Sequence, residues 1–146
     1  MRFWDASAIL PLFLEEPQSE EMRNLLKEDT DMIVWWGTPV ECQSAFARLR
    51  RDGILSTEQE DQLRTMLARL SSGWIEIEPV SEVKVIAGQL LLRHTLRAAD
   101  SLQLAAALLW VDMAPQDHLL VCLDSRLHSA SRNEGFTVLP SSIPGQ

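Results

Sequence analysis

Cysteine is scarce in this chain: there are two, Cys42 and Cys122, far apart in sequence. That excludes the dense framework of a small disulfide-stapled scaffold, and neither residue has the close partners of a zinc cluster. A reducing cytosol is the simplest setting. Basic charge is also short, with 13 Lys+Arg against 21 Asp+Glu and a formal charge of -8. This balance argues against a partner recruited simply by a basic surface. A polyanionic substrate stays open, because bound divalent metals can reverse the local sign of an acidic pocket. Long hydrophobic runs are missing as well: the apolar stretch 104–111 is far too short to cross a bilayer. The apolar segment 6–14 follows Asp5, is interrupted by Pro11 and leads to no small-residue cleavage site, so it reads as folded protein rather than a signal peptide. No internal repeat, low-complexity linker, Gly-rich phosphate loop or C-x-x-C pair is found.

What is present is 146 residues and 16.5 kDa, 46% hydrophobic and 23% charged. That length is enough for one domain with a sizeable core and leaves little room for a second. Residues 1–146 therefore read as a single soluble, intracellular, cytoplasmic domain, with 140–146 a short tail rich in Ser, Pro and Gly.

Apolar periodicity places five strands, at 2–5, 32–36, 74–78, 119–123 and 136–139. Helical spacing falls between them, at 6–14 with a bend near Pro11, 20–27, 39–50, 57–70, 80–93, 98–110 and 126–132. Gly37, Thr38 and Pro39 supply a turn, a candidate cap and a proline suited to the first helical position. Strands alternating with helices favour a parallel sheet covered on both faces. In such sheets the site lies at the carboxyl ends of the strands. Asp5 and Asp124 stand at two of those ends.

Four acids attract attention: Asp5, Glu41 in the first turns of its helix, Asp100 at the start of the apolar helix, and Asp124. Individually, Glu41 and Asp100 read as residues that complement a helix dipole, and Asp124 as a turn carboxylate. Together they read differently, because each sits against an apolar element where an unpaired charge is costly. A divalent cation such as Mg2+ or Mn2+, which prefers oxygen ligands, compensates several such charges at once.

The chain resembles the PIN-domain family, specifically the VapC-like toxin ribonucleases of type II toxin–antitoxin systems. The resemblance rests on Asp5-Ala6-Ser7-Ala8, on Pro39-Val40-Glu41, on the segment Leu96-Arg97-Ala98-Ala99-Asp100-Ser101-Leu102-Gln103-Leu104-Ala105, and on Leu123-Asp124-Ser125-Arg126-Leu127, and it runs over nearly the whole chain. It implies a three-layer α/β/α sandwich with a central, mainly parallel five-stranded sheet. It also implies a metal-dependent ribonuclease centre in which Asp5, Glu41 and Asp100 shape the site for one or two Mg2+ or Mn2+ ions, with Asp124 completing it. Ser7 matches a small hydroxyl residue that positions Asp5 or a metal-bound water. The family often has Thr two residues before the last acid; here that position is Cys122, which weakens the case for hydroxyl assistance near Asp124. The resemblance further implies an RNA substrate, a cognate antitoxin that blocks the cleft, a homodimer, contact with promoter DNA only through the antitoxin, and no membrane role.

Beyond the acids, Arg48, Arg50 and Arg51 form a basic run that could meet RNA phosphates, although a solvated helix end or an acidic protein partner explains it equally well. Arg97 could bind substrate or pair with a site carboxylate, and Gln103 could touch substrate from one helical turn beyond Asp100. His94, His118 and His128 lack the spacing of a metal motif and read as polar boundary or surface residues. Trp35, Trp36, Trp74 and Trp110 read as packing residues. Two alternatives remain. One is a small-phosphoester phosphatase, although its Asp-x-Asp pattern is absent, since Asp5 is followed by Ala6 and Ser7. The other is a noncatalytic PIN-like binding module.

Overall fold

The computed structural model describes residues 1–144. Five short strands form one sheet: β1 (Arg2–Trp4), β2 (Met32–Trp35), β3 (Ile75–Ile77), β4 (Leu119–Val121) and β5 (Thr137–Leu139). Seven α-helices connect and cover them: α1 (Ala6–Ile9), α2 (Ser19–Glu28), α3 (Thr38–Arg51), α4 (Thr57–Ser71), α5 (Ser81–Arg93), α6 (Ala98–Trp110) and α7 (Ser125–Glu134). The sheet order is β3-β2-β1-β4-β5, and every neighbouring pair is parallel. The expected "mainly parallel" sheet is thus entirely parallel.

Two-residue alternation along the strands divides the core in two. Phe3, Ile33, Trp35, Leu120 and Val138 point to the side covered by α5, α6 and α7, where they meet Leu90, Leu104, Leu108 and Leu127. Trp4, Val34 and Val121 point to the other side, where Ile9, Met22, Phe46 and Leu67 from α1 to α4 close over them. Successive residues of one strand therefore serve opposite layers. This is why the central strands read as unbroken apolar runs rather than alternating ones.

Local chemistry sets the element boundaries. Pro11 supports a turn of 3-10 helix, Leu10–Leu12, immediately after α1, so the expected bend becomes a change of helix type. Ser56 and Gln59 form a reciprocal capping box at the start of α4. Gly135 ends α7 with φ 115°, a left-handed conformation that side-chain-bearing residues rarely adopt. Gly37 answers a different need: a Cβ there would lie 2.7 Å from Trp35 Nε1, so the indole folds over a position that has to lack a side chain.

Several boundaries differ from the sequence reading. Asp5 leaves β1 and becomes the N-cap of α1. Trp36 leaves β2 and stands 52% exposed. Cys122 and Leu123 lie beyond β4. His128 is fully buried rather than a boundary residue, and its Nε2 lies 2.7 Å from the carbonyl oxygen of Pro140. That contact ties down the first residue of the expected tail, whose positions 145 and 146 lie outside the described residues. Among the described residues, no helix is long and apolar enough to cross a membrane.

The connections explain where a site can form. From β1 the chain moves by way of β2 toward β3, whereas β4 returns to the opposite side of β1 and leads on to β5. The order therefore reverses between β1 and β4, and the crevice outside their carboxyl ends is the topological switch point of the sheet.

Candidate functional site

Asp5 and Asp124 flank that crevice. Asp5 follows β1, and its backbone N–H donates to the Val121 carbonyl of β4 at 3.0 Å, so the first acid is stitched to the strand that leads to the last. Its carboxylate accepts from the Ser7 backbone N–H at 3.1 Å and from the Ser7 hydroxyl. The same hydroxyl oxygen accepts from the backbone N–H groups of Leu123 at 2.9 Å and Asp124 at 3.2 Å. Ser7 is therefore a bridge between the two strand ends.

Cys122 is buried, and its Sγ lies 3.7 Å from Asp5 Oδ2 and 3.4 Å from the Asp124 carbonyl oxygen. Burial, with Asp5 close by, holds the thiol well above its usual range, so it sits there as a weak S–H donor. The hydroxyl that position 122 lacks is supplied to the same corner by Ser7.

Glu41 reaches the edge from the first turn of α3. Gln103, one turn past Asp100 on α6, donates through its Nε2 to Glu41 and, at 2.9 Å, to the hydroxyl oxygen of Thr38. Gln103 is itself buried, so it faces Glu41 and Thr38 rather than solvent, and its Oε1 has no hydrogen-bond partner among the described residues. This makes Gln103 a positioning residue for Glu41. Asp100 enters from the first turn of α6 and accepts from the Arg97 backbone N–H at 3.3 Å. Asp124 caps α7 and accepts from the Leu127 N–H at 2.9 Å.

Burial and neighbouring negative charge act on the protonation of Asp5, Glu41 and Asp100. Burial pushes the Asp5 carboxyl up to about 6, against the hydrogen bonds from Ser7 and with help from the negative charges of Asp100 and Asp124. Glu41 is pushed up to about 7, again chiefly by burial and then by Asp5 and Asp100, with Gln103 opposing the shift. Asp100 is raised by burial and by Asp124, and Arg97 and Arg126 temper the rise. A cavity of about 290 Å3 opens at this end, lined by Arg97, Asp100, Asp124, Ser125 and Arg126.

The donor set is that of a hard cation: carboxylate oxygens, with a protonated thiol and no histidine in the constellation. Each described anchor takes one oxygen of a carboxylate that has two, so local anchoring and ligation are chemically compatible. Yet no group of three or more His, Cys, Asp or Glu side chains among the described residues is gathered so that it could hold a metal ion. The four acids repel one another across the crevice without converging on one point.

The remaining candidates lie apart from this centre. Arg48 and Arg51 occupy the far end of α3, about 10 to 15 Å along the helix axis from Glu41. Arg50 pairs with Glu60 at 2.7 Å. Cys42 is buried, and its thiol is pushed up to about 12 by burial and then by Glu41 and Asp5. Three contributors escaped the sequence reading. Thr38 was legible only as a cap, Arg126 only as part of the motif after Asp124, and the reach of Ser7 to Leu123 and Asp124 had no local signal.

No family model matches the chain, and no match was found among curated proteins. Among solved structures, the chain is similar to FitAcB from Neisseria gonorrhoeae, with a TM-score of 0.68 at 17% identity, covering 97% of this chain and 98% of that one. It is also similar to FitAB bound to an IR36 DNA fragment, with a TM-score of 0.66 at 15% identity, covering 95% and 94%. These similarities establish the fold, and the PIN-like α/β sandwich implied by the sequence is the fold observed.

Proposed function

We propose that this chain is a metal-dependent endoribonuclease and the toxin member of a toxin–antitoxin pair. One observation carries the reading: four carboxylates from four separate elements face the switch point of the sheet, and burial pushes two of them up, the buried Asp5 to about 6 and the half-buried Glu41 to about 7. Such an arrangement is costly in an isolated fold and useful where a divalent cation arrives.

In this reading Asp5, Glu41 and Asp100 hold one or two Mg2+ or Mn2+ ions, with Asp124 in support. The bound metal would supply an activated water and stabilise charge on the phosphate. Ser7 keeps Asp5 aimed at the crevice, and Gln103 does the same for Glu41. Arg97 and Arg126 partly neutralise the rim, which lets a polyanionic strand approach a protein of net charge -8.

The structural neighbour FitAB is bound to a DNA fragment. For this chain we assign promoter contact to an antitoxin that covers the acidic cleft, and we place the pair in the cytoplasm. A second copy of the chain is assigned to the exposed side of α5, where Val85 is 61% and Leu92 89% exposed. Leu92→Glu is expected to turn a dimer into a monomer in light scattering; an unchanged mass would remove that face from consideration.

The decisive experiment incubates the purified full chain with a mixed cellular RNA pool in Mg2+ or Mn2+, beside EDTA and a folded Asp5→Asn control, and maps the new ends. Cuts that vanish in both controls are expected. The absence of ligand convergence among the described residues favours one competitor, a noncatalytic PIN-like binding module. Antitoxin binding without metal-dependent cleavage would select that reading.

A further inference from the structure

The 290 Å3 cavity beside Asp100 and Asp124 does not end there. Ser125 and Arg126 also line a larger cavity of about 490 Å3, which runs past Arg93, His94, Thr95 and Asn133. The two therefore share a wall at the start of α7. Their characters are opposite. The smaller one holds two of the four acids, whereas among the described residues no carboxylate lines the larger one, on a chain where Asp and Glu outnumber Lys and Arg by 21 to 13.

The cationic wall is held in place. Glu134 near the end of α7 receives Arg93 through two contacts of 3.2 Å, Nε to Oε2 and a terminal nitrogen to Oε1, and its Oε2 lies 2.6 Å from His94 Nε2. A fork of this kind fixes the plane of a guanidinium while leaving further N–H donors available. Burial alone would raise the Glu134 carboxyl, but Arg93 and His94 overcome that and keep it below its usual range, so it remains a charged anchor. Arg93 and Arg126 are nonetheless exposed. The result is a polar groove that presents two guanidiniums, that of Arg93 paired with Glu134, and that of Arg126 at the wall shared with the acidic crevice.

We infer that this groove is a phosphate track, along which the backbone of a single-stranded RNA runs from the acidic crevice over α7, with Arg126 contacting a phosphate at the junction and Arg93 contacting one farther along. RNA is favoured over an acidic protein segment because the groove opens directly into the candidate phosphodiester-cleaving centre. The inference rests on the ribonuclease reading, and the test separates the two.

The binding experiment uses full-length protein in the Asp5→Asn background with Mg2+. The probe is a fluorescein-labelled single-stranded RNA of roughly 20 nucleotides, followed by anisotropy over a range of salt concentrations. Arg93→Gln and Arg126→Gln are each expected to weaken binding about three- to tenfold and to flatten the log–log salt slope by about 0.7, the value for one lost phosphate contact on a single strand. Arg69→Gln, an exposed arginine on α4, is the control and should bind within about twofold of its parent.

If wild-type protein cleaves RNA but neither groove variant differs from Arg69→Gln, the track is overturned and the ribonuclease reading stands. Loss confined to Arg126→Gln also overturns it, leaving a single contact at the crevice. If the two groove variants retain RNA but lose affinity for a polyglutamate peptide that their parent binds, the groove serves an acidic protein segment instead. RNA neither bound nor cleaved by the wild-type chain would overturn both readings together.

Discussion

The four acids divide into a deep pair and a rim pair, and the two pairs meet the same electrostatic problem differently. Asp5 is buried and Glu41 half-buried, burial is the main force on the protonation of both, and their helpers are neutral: a serine for one, a glutamine for the other. Asp100 and Asp124 stand at the mouth, share a cavity with Arg97 and Arg126, and accept from helix-start N–H groups. The rim pair is compensated by the protein itself. The deep pair is oriented but left with its charge uncompensated, so the case for an arriving cation rests mainly on Asp5 and Glu41.

The largest expected effect comes from Asp5→Asn. If the chain is the proposed metal-dependent ribonuclease, removing this buried charge should lower RNA cleavage by at least about 100-fold. The same change should raise the melting temperature of the metal-free protein at pH 8, because a costly buried charge is gone. A variant that loses cleavage and also loses stability in EDTA would show that Asp5 serves the fold rather than the site.

Gln103→Leu tests orientation without touching a charge. It removes the donor from Glu41, and a drop of about 10- to 100-fold in cleavage or metal affinity is expected, the range seen when an orienting partner of a ligand is lost. Isothermal titration with Mn2+ would detect it independently of activity. Equal affinities in the two proteins would mean that Glu41 needs no such support.

Next in size is the pH dependence of stability in EDTA. Asp5 and Glu41 have folded values above their ordinary ones, so between about pH 4 and pH 7 the folded state binds more protons than the unfolded state. The metal-free fold should therefore weaken as pH rises through that window. The Asp5 contribution is at most about 2 to 3 kcal/mol, and Mg2+ should restore more stability at pH 8 than at pH 5. Melting curves that are flat from pH 5 to 8 would contradict the deep placement of both groups.

The smallest effect is expected at the rim. Asp124→Asn keeps a good helix cap, so stability should change by less than about 0.5 kcal/mol, and cleavage should fall less than in Asp5→Asn. Equal losses in the two variants would erase the distinction between the pairs.

Much of this arrangement was legible in the sequence because it is written locally. Phe3, Trp4, Ile33 and Val34 are bulky apolar residues in short runs, the pattern of central parallel strands, and turn and cap residues marked where each run ends. All four acids were placed at element boundaries by the same reasoning, although their grouping owed as much to resemblance as to spacing. What was not legible depends on contacts across the chain. Ser7 meets the backbone of residues 123 and 124, and Gln103 meets Glu41 on another helix. Neither meeting leaves a periodic trace. Trp36 shows the opposite failure: an aromatic in an apolar run looked like core, but the chain turns at Gly37 and leaves it in solvent. The polar groove was hidden for a similar reason, since Arg93 and Arg126 come from helices on either side of α6 in sequence.

The switch-point topology also has a consequence in time. β1 is the central strand, and its neighbour β4 is among the later elements in chain order. During synthesis Asp5 emerges early, but the crevice has no second wall until Leu119–Val121 has slotted in beside Arg2–Trp4. A growing chain that already displays Asp5, Glu41 and Asp100 still lacks the strand to which Asp5 is stitched. Assembly of the acidic centre is thus a late event on the ribosome, and an unfinished copy carries the acids without the site.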